Sequence, residues 1–222
     1  MSARVGKVLC SGPTHDDVDN LAALLKRSTR AITKKCNAHV VAERGKLGPK
    51  PSEAAANTQP DGLARARRRF VVRGYKPTHE LLALYHLLRN PELGVNFQRP
   101  GWAWKLPLSL TYWMLVLLRS PTVPDLEEED SPALFELQKE FDSNTTLAPL
   151  RDLATGKITY EVFRANVDQV TTMEEYLRTT RRCFRSILGK ADLLCTTPGG
   201  DDVPAEGVPS LEGEARPGSS HQ

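Results

Sequence analysis

Lys7–Leu21 reads KVLCSGPTHDDVDNL, and this stretch decides the fold. Val5 to Cys10 is short and mostly apolar, with Gly6 and Gly12 at its borders, the pattern of a buried strand. Ser11-Gly12-Pro13 then turns the chain. Thr14 followed three positions later by Asp17 is a capping-box pattern that opens a helix. Val18, Leu21, Ala22 and Leu25 recur at helical spacing and give that helix one apolar face, with an end expected near Ser28. A second stretch, Ile187–Thr197 (ILGKADLLCTT), closes the folded part: a helix stops at Gly189, and Asp192 to Thr196 forms a last short strand.

Between them, Ala38 to Ala42 (AHVVA) is a candidate strand and Phe70 to Arg73 (FVVR) another. Residues 46–62 are rich in Pro, Gly, Ala and Ser without apolar periodicity, which predicts a mobile loop. Thr78 is placed to cap a helix whose Leu81, Leu82, Leu84, Tyr85, Leu87 and Leu88 are too apolar for a surface helix, and Pro91 ends it. Leu106–Leu118 (LPLSLTYWMLVLL) has 13 residues and contains Pro107. A membrane span needs about 20, so a buried helix is the expectation and no membrane is implied. Residues 121–132 form a loop holding Glu127-Glu128-Glu129-Asp130, expected to be solvated. Helices are expected over residues 132–141, 145–154, 159–167 and 172–188. The last has Met173, Tyr176, Leu177, Thr180, Phe184 and Ile187 as its buried stripe and Arg178, Arg181, Arg182 and Arg185 elsewhere.

Charge is uneven. Residues 1–50 hold ten Lys/Arg against four Asp/Glu, whereas residues 198–222 hold five acids against Arg216, in a chain whose net charge is +3. The basic front suits a polyanion, and equally a solvated face. The four cysteines form no C-x-x-C pair and have no His cluster beside them, which argues against zinc. No signal peptide is visible, so a reducing interior, nuclear or cytoplasmic, is the expected location.

The two deciding stretches resemble pieces of superfamily 1B helicases of the nonsense-mediated-decay and tRNA-splicing type. There a strand is followed by Ala-Pro-Ser/Thr-Asn, two variable residues and Val-Asp-Asn/Gln-Leu. Pro13, Thr14, Val18, Asp19, Asn20 and Leu21 match, with Gly12 in place of Ala and His15 in place of Asn. Further on, Ala191, Asp192, Cys195 and Thr197 match the family's strand just upstream of its Asp-Glu box. The stretches keep the family's order and cover 26 of 222 residues. The resemblance implies a partial RecA-like parallel sheet, an α/β fold with strands near Val8, Val40, Val71 and Leu194, a largely helical insertion and a disordered tail. Residues 1–45 would begin the lobe, 46–64 form the mobile loop, 65–170 the insertion, 171–197 the return to the lobe and 198–222 the tail.

It also implies that Pro13, Thr14 and His15 touch a nucleic-acid backbone, and that Thr197 does so from the neighbouring strand end. Backbone N–H groups at a helix N-terminus suit a phosphate, and such contacts position a strand without reading its sequence. The plainer alternative makes Thr14 a helix cap and Thr197 a strand end. Arg68 and Arg69, in the basic run Arg65–Arg69, are further candidates, with Trp102 and Trp104 as stacking platforms for a single strand; the ordinary burial of Trp favours two core tryptophans instead.

The family's cofactors are ATP and magnesium, but no G-x-x-x-x-G-K-[ST] loop occurs. The Gly-Lys pairs at 6–7, 45–46, 156–157 and 189–190 are followed by Val, Leu, Ile and Ala. Asp201-Asp202 follows no apolar strand and is a poor substitute for an Asp-Glu box. No catalytic residue and no cofactor is therefore assigned to this chain, and the resemblance points to an internal, truncated slice of the first motor lobe. His15, Asp16, Asp17 and Asp19 do not share one helix face, so no metal site is assigned; acids in a first turn answer to the helix dipole. The expected partner is single-stranded RNA or DNA. The alternative is a helical interaction module in which Leu106–Leu118 docks a partner protein.

Overall fold

The computed structural model describes residues 7–46, 65–97, 104–170 and 173–196. Its sheet has three parallel strands, β1 (Val8–Ser11), β2 (Val71–Arg73) and β3 (Leu193–Thr196), in the order β1-β3-β2. The last strand in sequence is thus the central one. Cys10 pairs with Cys195 and Ser11 with Thr196 on one side, and Val72 with Leu194 and Arg73 with Cys195 on the other. Parallel neighbours require long crossovers. Here α1 (His15–Lys46) lies between β1 and β2, and α2 (Pro77–Arg89) through α7 (Met173–Lys190) lie between β2 and β3.

Alternation along the strands sorts the two faces. Val71 and Cys195 join Val18 and Ala22 of α1 in a small core. Phe70 and Val72 point the other way, into a large core built on α2, α3 (Leu110–Leu117), α4 (Pro132–Ser143), α5 (Ala148–Ala154), α6 (Tyr160–Val170) and α7. The helices cover β2 and β3 but leave Leu9 of β1 69% exposed. The chain is therefore a mixed α/β protein with one helix on one face of a small parallel sheet and a helical layer on the other.

Three elements depart from the sequence reading. Val40 lies in α1, not in a strand: α1 runs 32 residues, well past Ser28. Its β-branched Val40-Val41 pair finds no strand partner, and Val41 is exposed. Extending an existing helix adds one backbone bond per residue fixed, whereas a new strand needs a neighbour, so local β-propensity loses. The apolar run 106–118 narrows to α3. Pro107 lacks the N–H a helix would use, Leu108 takes a positive φ of 78°, and Ser109 caps the helix by accepting from Tyr112 N. At its far end Arg119, also at positive φ (58°), lets Ser120 N reach Leu115 O and its own N reach Val116 O, which satisfies the last carbonyls. Likewise α2 begins at Pro77 after Lys76, a residue ahead of the expected Thr78 cap, because proline at the first helical position has its φ already set.

Glu80 ties α2 to α3. Its carboxyl is fully buried and accepts from Leu110 N (3.1 Å), Thr111 N (2.9 Å) and the Thr111 hydroxyl (2.7 Å). Burial pushes its pKa from 4.5 up to about 7, against these bonds, which favour the anion. Trp113 pins α3 to the sheet by donating Nε1–H to Val71 O at 3.0 Å. Among the described residues, no helix is long and apolar enough to cross a membrane.

Candidate functional site

In a parallel sheet all strand carboxyl ends share one rim, which is where α/β proteins place their sites. Here the rim is formed by Ser11 and Thr196, in register, and by Arg73. Pro13, Thr14 and His15 follow β1 directly and are exposed on it. An added Cβ at Gly12 would lie 3.1 Å from Val18 Cγ2, so glycine lets the turn sit close against α1. Thr14 is the helix cap: its Oγ1 accepts from Asp17 N at 3.2 Å and donates to Asp17 Oδ2 at 2.7 Å. Asp16 and Asp17 complement the dipole of α1 in its first turn. Thr197 lies outside the described residues.

Behind the turn sits an arrangement the sequence reading missed. Arg73, only 1% exposed, donates Nε–H to Asp19 Oδ1 at 2.9 Å, further N–H groups to the carbonyls of Gly74 and Cys195, and one to His15 Nδ1 at 2.9 Å. Tyr75 donates its hydroxyl to the same Asp19 oxygen at 2.9 Å, and the Arg73 guanidinium lies 4.4 Å from the Tyr75 ring centroid. Burial and the adjacent Asp19 charge raise the Tyr75 pKa, so it stays a donor. Lys105, half exposed, reaches Asp19 Oδ2 at 3.4 Å. One carboxylate thus gathers three donors and joins α1, β2 and the segment before α3. A buried arginine is tolerated only with such complete pairing. Arg73 at the end of the apolar FVVR run was the available signal: a cation closing a buried strand needs an acid, and Asp19 supplies it.

A cleft of about 230 Å³ opens beside this network, bordered by Asp19, Asn20, Tyr75, Phe97 and Lys105. It offers one exposed cation, one carboxylate edge and an aromatic wall.

The two arginines chosen from sequence sit elsewhere. Arg68 and Arg69 precede β2 and lie at the amino ends of the strands, opposite the rim, so the candidate residues do not make one surface. Arg68 is only 18% exposed and is held by Glu127, by Glu129 (3.4 Å) and by Asp130 (3.3 Å), while Arg65 pairs with Glu128 at 2.8 Å. Arg68 N also donates to Glu129 O at 2.7 Å. The acidic run expected to be a solvated loop is therefore the counter-charge of the basic run, and its bond to Arg68 holds Glu127 below the usual carboxylate range. Arg69 pairs with Asp192 at 3.5 Å. Asp192 itself accepts from Phe70 N at 2.7 Å, which makes this matched residue a staple between β2 and β3.

Trp104 packs in the core against Tyr75 and Phe97, with ring centroids 6.1 and 5.9 Å away, and offers no stacking platform; Trp102 lies outside the described residues. Every residue of Leu106–Leu118 is buried except Pro107 and the half-buried Tyr112, so that segment fills this protein's own core and presents no apolar face to a partner.

Fold and rim together define a small parallel α/β protein with a polar, internally paired rim. No known protein family, curated protein or solved structure matches the chain.

Proposed function

We propose that this chain is a fragment or degenerate copy of a motor lobe of the superfamily 1B helicase type, which contacts the backbone of single-stranded RNA or DNA through its carboxyl rim and does not itself hydrolyse ATP. The observation that carries the reading is the parallel pairing of β1 with β3, Ser11 opposite Thr196. It sets the turn of the first helicase-like stretch beside the strand end of the second, which supports the arrangement that the resemblance implies. The N-terminus of α1 supplies backbone donors there, and Lys105 the accessible positive charge. Asp16 and Asp17 oppose an incoming phosphate, which makes the contact weak and sequence-independent. The buried Arg73–Asp19 pair fixes the turn against β2 and β3 so that its geometry persists without a ligand.

A fluorescence titration with single-stranded oligonucleotides over a range of salt tests the proposal. Log affinity is expected to fall linearly with log salt, by about 0.7 for each phosphate neutralised, and Lys105→Ala to lower that slope by about one such step. No binding, an affinity indifferent to salt, or a slope untouched by Lys105→Ala would overturn it.

A further inference from the structure

We propose that Cys10 and Cys195 form a reversible disulfide that ties the edge strand β1 to the central strand β3. The two residues are direct register partners on adjacent parallel strands. Both belong to the small core beneath α1, with Val18, Ala22 and Val71, so their side chains leave the same face of the sheet. Neighbouring strands run about 4.8 Å apart, inside the roughly 4.4–6.8 Å range of Cα separations a disulfide spans.

Accessibility sets the order of events. Cys10 is partly exposed and Cys195 fully buried. Burial pushes the Cys195 thiol up to about 11, so it is the poorer nucleophile toward an external oxidant. A hydroperoxide is the oxidant class that fits. The Cys10 thiolate attacks one peroxide oxygen, the O–O bond breaks, and the departing hydroxide takes a proton to become water. Cys195 then loses its thiol proton as its sulfur attacks the sulfenic sulfur; the S–S bond forms as the S–O bond breaks, and the departing hydroxide takes a proton and leaves as a second water. Two thiols are oxidised by two electrons and one peroxide is reduced. A dithiol reverses the step. Of the other cysteines, Cys36 lies on the exposed side of α1 and Cys183 in the helical core, and neither has a cysteine opposite it.

β1 pairs with β3 alone among the described strands, so the bond would fasten the sheet's open edge. The test treats the full chain with hydrogen peroxide, digests it without reduction and maps crosslinks by mass spectrometry. The expected result is a peptide pair joining Cys10 to Cys195, the loss of two of the four free thiols, recovery of both with dithiothreitol, and no crosslink in Cys10→Ser. Peroxide added in concentrated urea should give a mixture of pairings, because the register that selects this one is gone. Cys10 overoxidised or joined to Cys36 with Cys195 still a free thiol, or the same selectivity in urea, would overturn the proposal.

Discussion

Glu80→Gln is expected to abolish a pH dependence of stability that the unaltered protein carries. The native carboxyl keeps its proton up to about pH 7, whereas in the unfolded chain it releases it near 4.5. The native state therefore binds more protons across that window. Its stabilisation is complete below the unfolded value, falls as pH rises through the window and is flat above it. At about 1.4 kcal/mol per tenfold change in proton affinity, the difference amounts to about 3 kcal/mol. Glutamine imitates the neutral side chain at every pH, so the variant lacks the fall. Its amide meets one backbone N–H at Leu110 or Thr111 with a donor of its own, and that cost does not vary with pH. Urea unfolding of both proteins at about pH 5 and about pH 8 isolates the effect, because every other titrating group cancels in the difference between them. The gap should move by about 2.5 kcal/mol in favour of the variant at the higher pH, a little less than the full difference because pH 5 already lies above the unfolded value. A gap that stays constant would mean that the N–H groups at the start of α3 hold Glu80 as an anion, and that they outweigh its burial.

Asp19→Ala should destabilise by about 3–5 kcal/mol, seen as a lower urea midpoint, because it strands Arg73 in the core without its counter-charge. Arg68→Ala should cost only about 1 kcal/mol, since Glu127 and Glu129, two of its three carboxylate partners, are a third to a half exposed, and should speed amide exchange over residues 127–130 while leaving oligonucleotide affinity unchanged; a clear loss of affinity would return the basic run to the binding surface. Trp113→Phe removes the donor to Val71 O and leaves that carbonyl buried, a loss of about 1–3 kcal/mol readable as a lower thermal midpoint.

Local pattern made most elements legible. The strands at Val8, Val71 and Leu194, the capping box at Thr14 and Asp17, the stripe of α7 and the buried character of 106–118 depend on side chains one to four positions apart, and such spacings are written in sequence order. The parallel pairing of β1 and β3 was legible only through a resemblance, because nothing in either strand names its neighbour. The fate of Val40, the pairing of Arg68 with Glu127 across 59 positions and that of Arg73 with Asp19 across 54 were settled by what the fold set beside them. Isolated in sequence, a buried arginine and an exposed one look alike, as do a solvated acidic run and a counter-charge. Desolvation and pairing separate them, and both are properties of the packed chain: the sequence by itself determined the strands, caps and apolar faces, and the tertiary structure decided which charges are buried, which are spent on one another, and which face solvent at the rim.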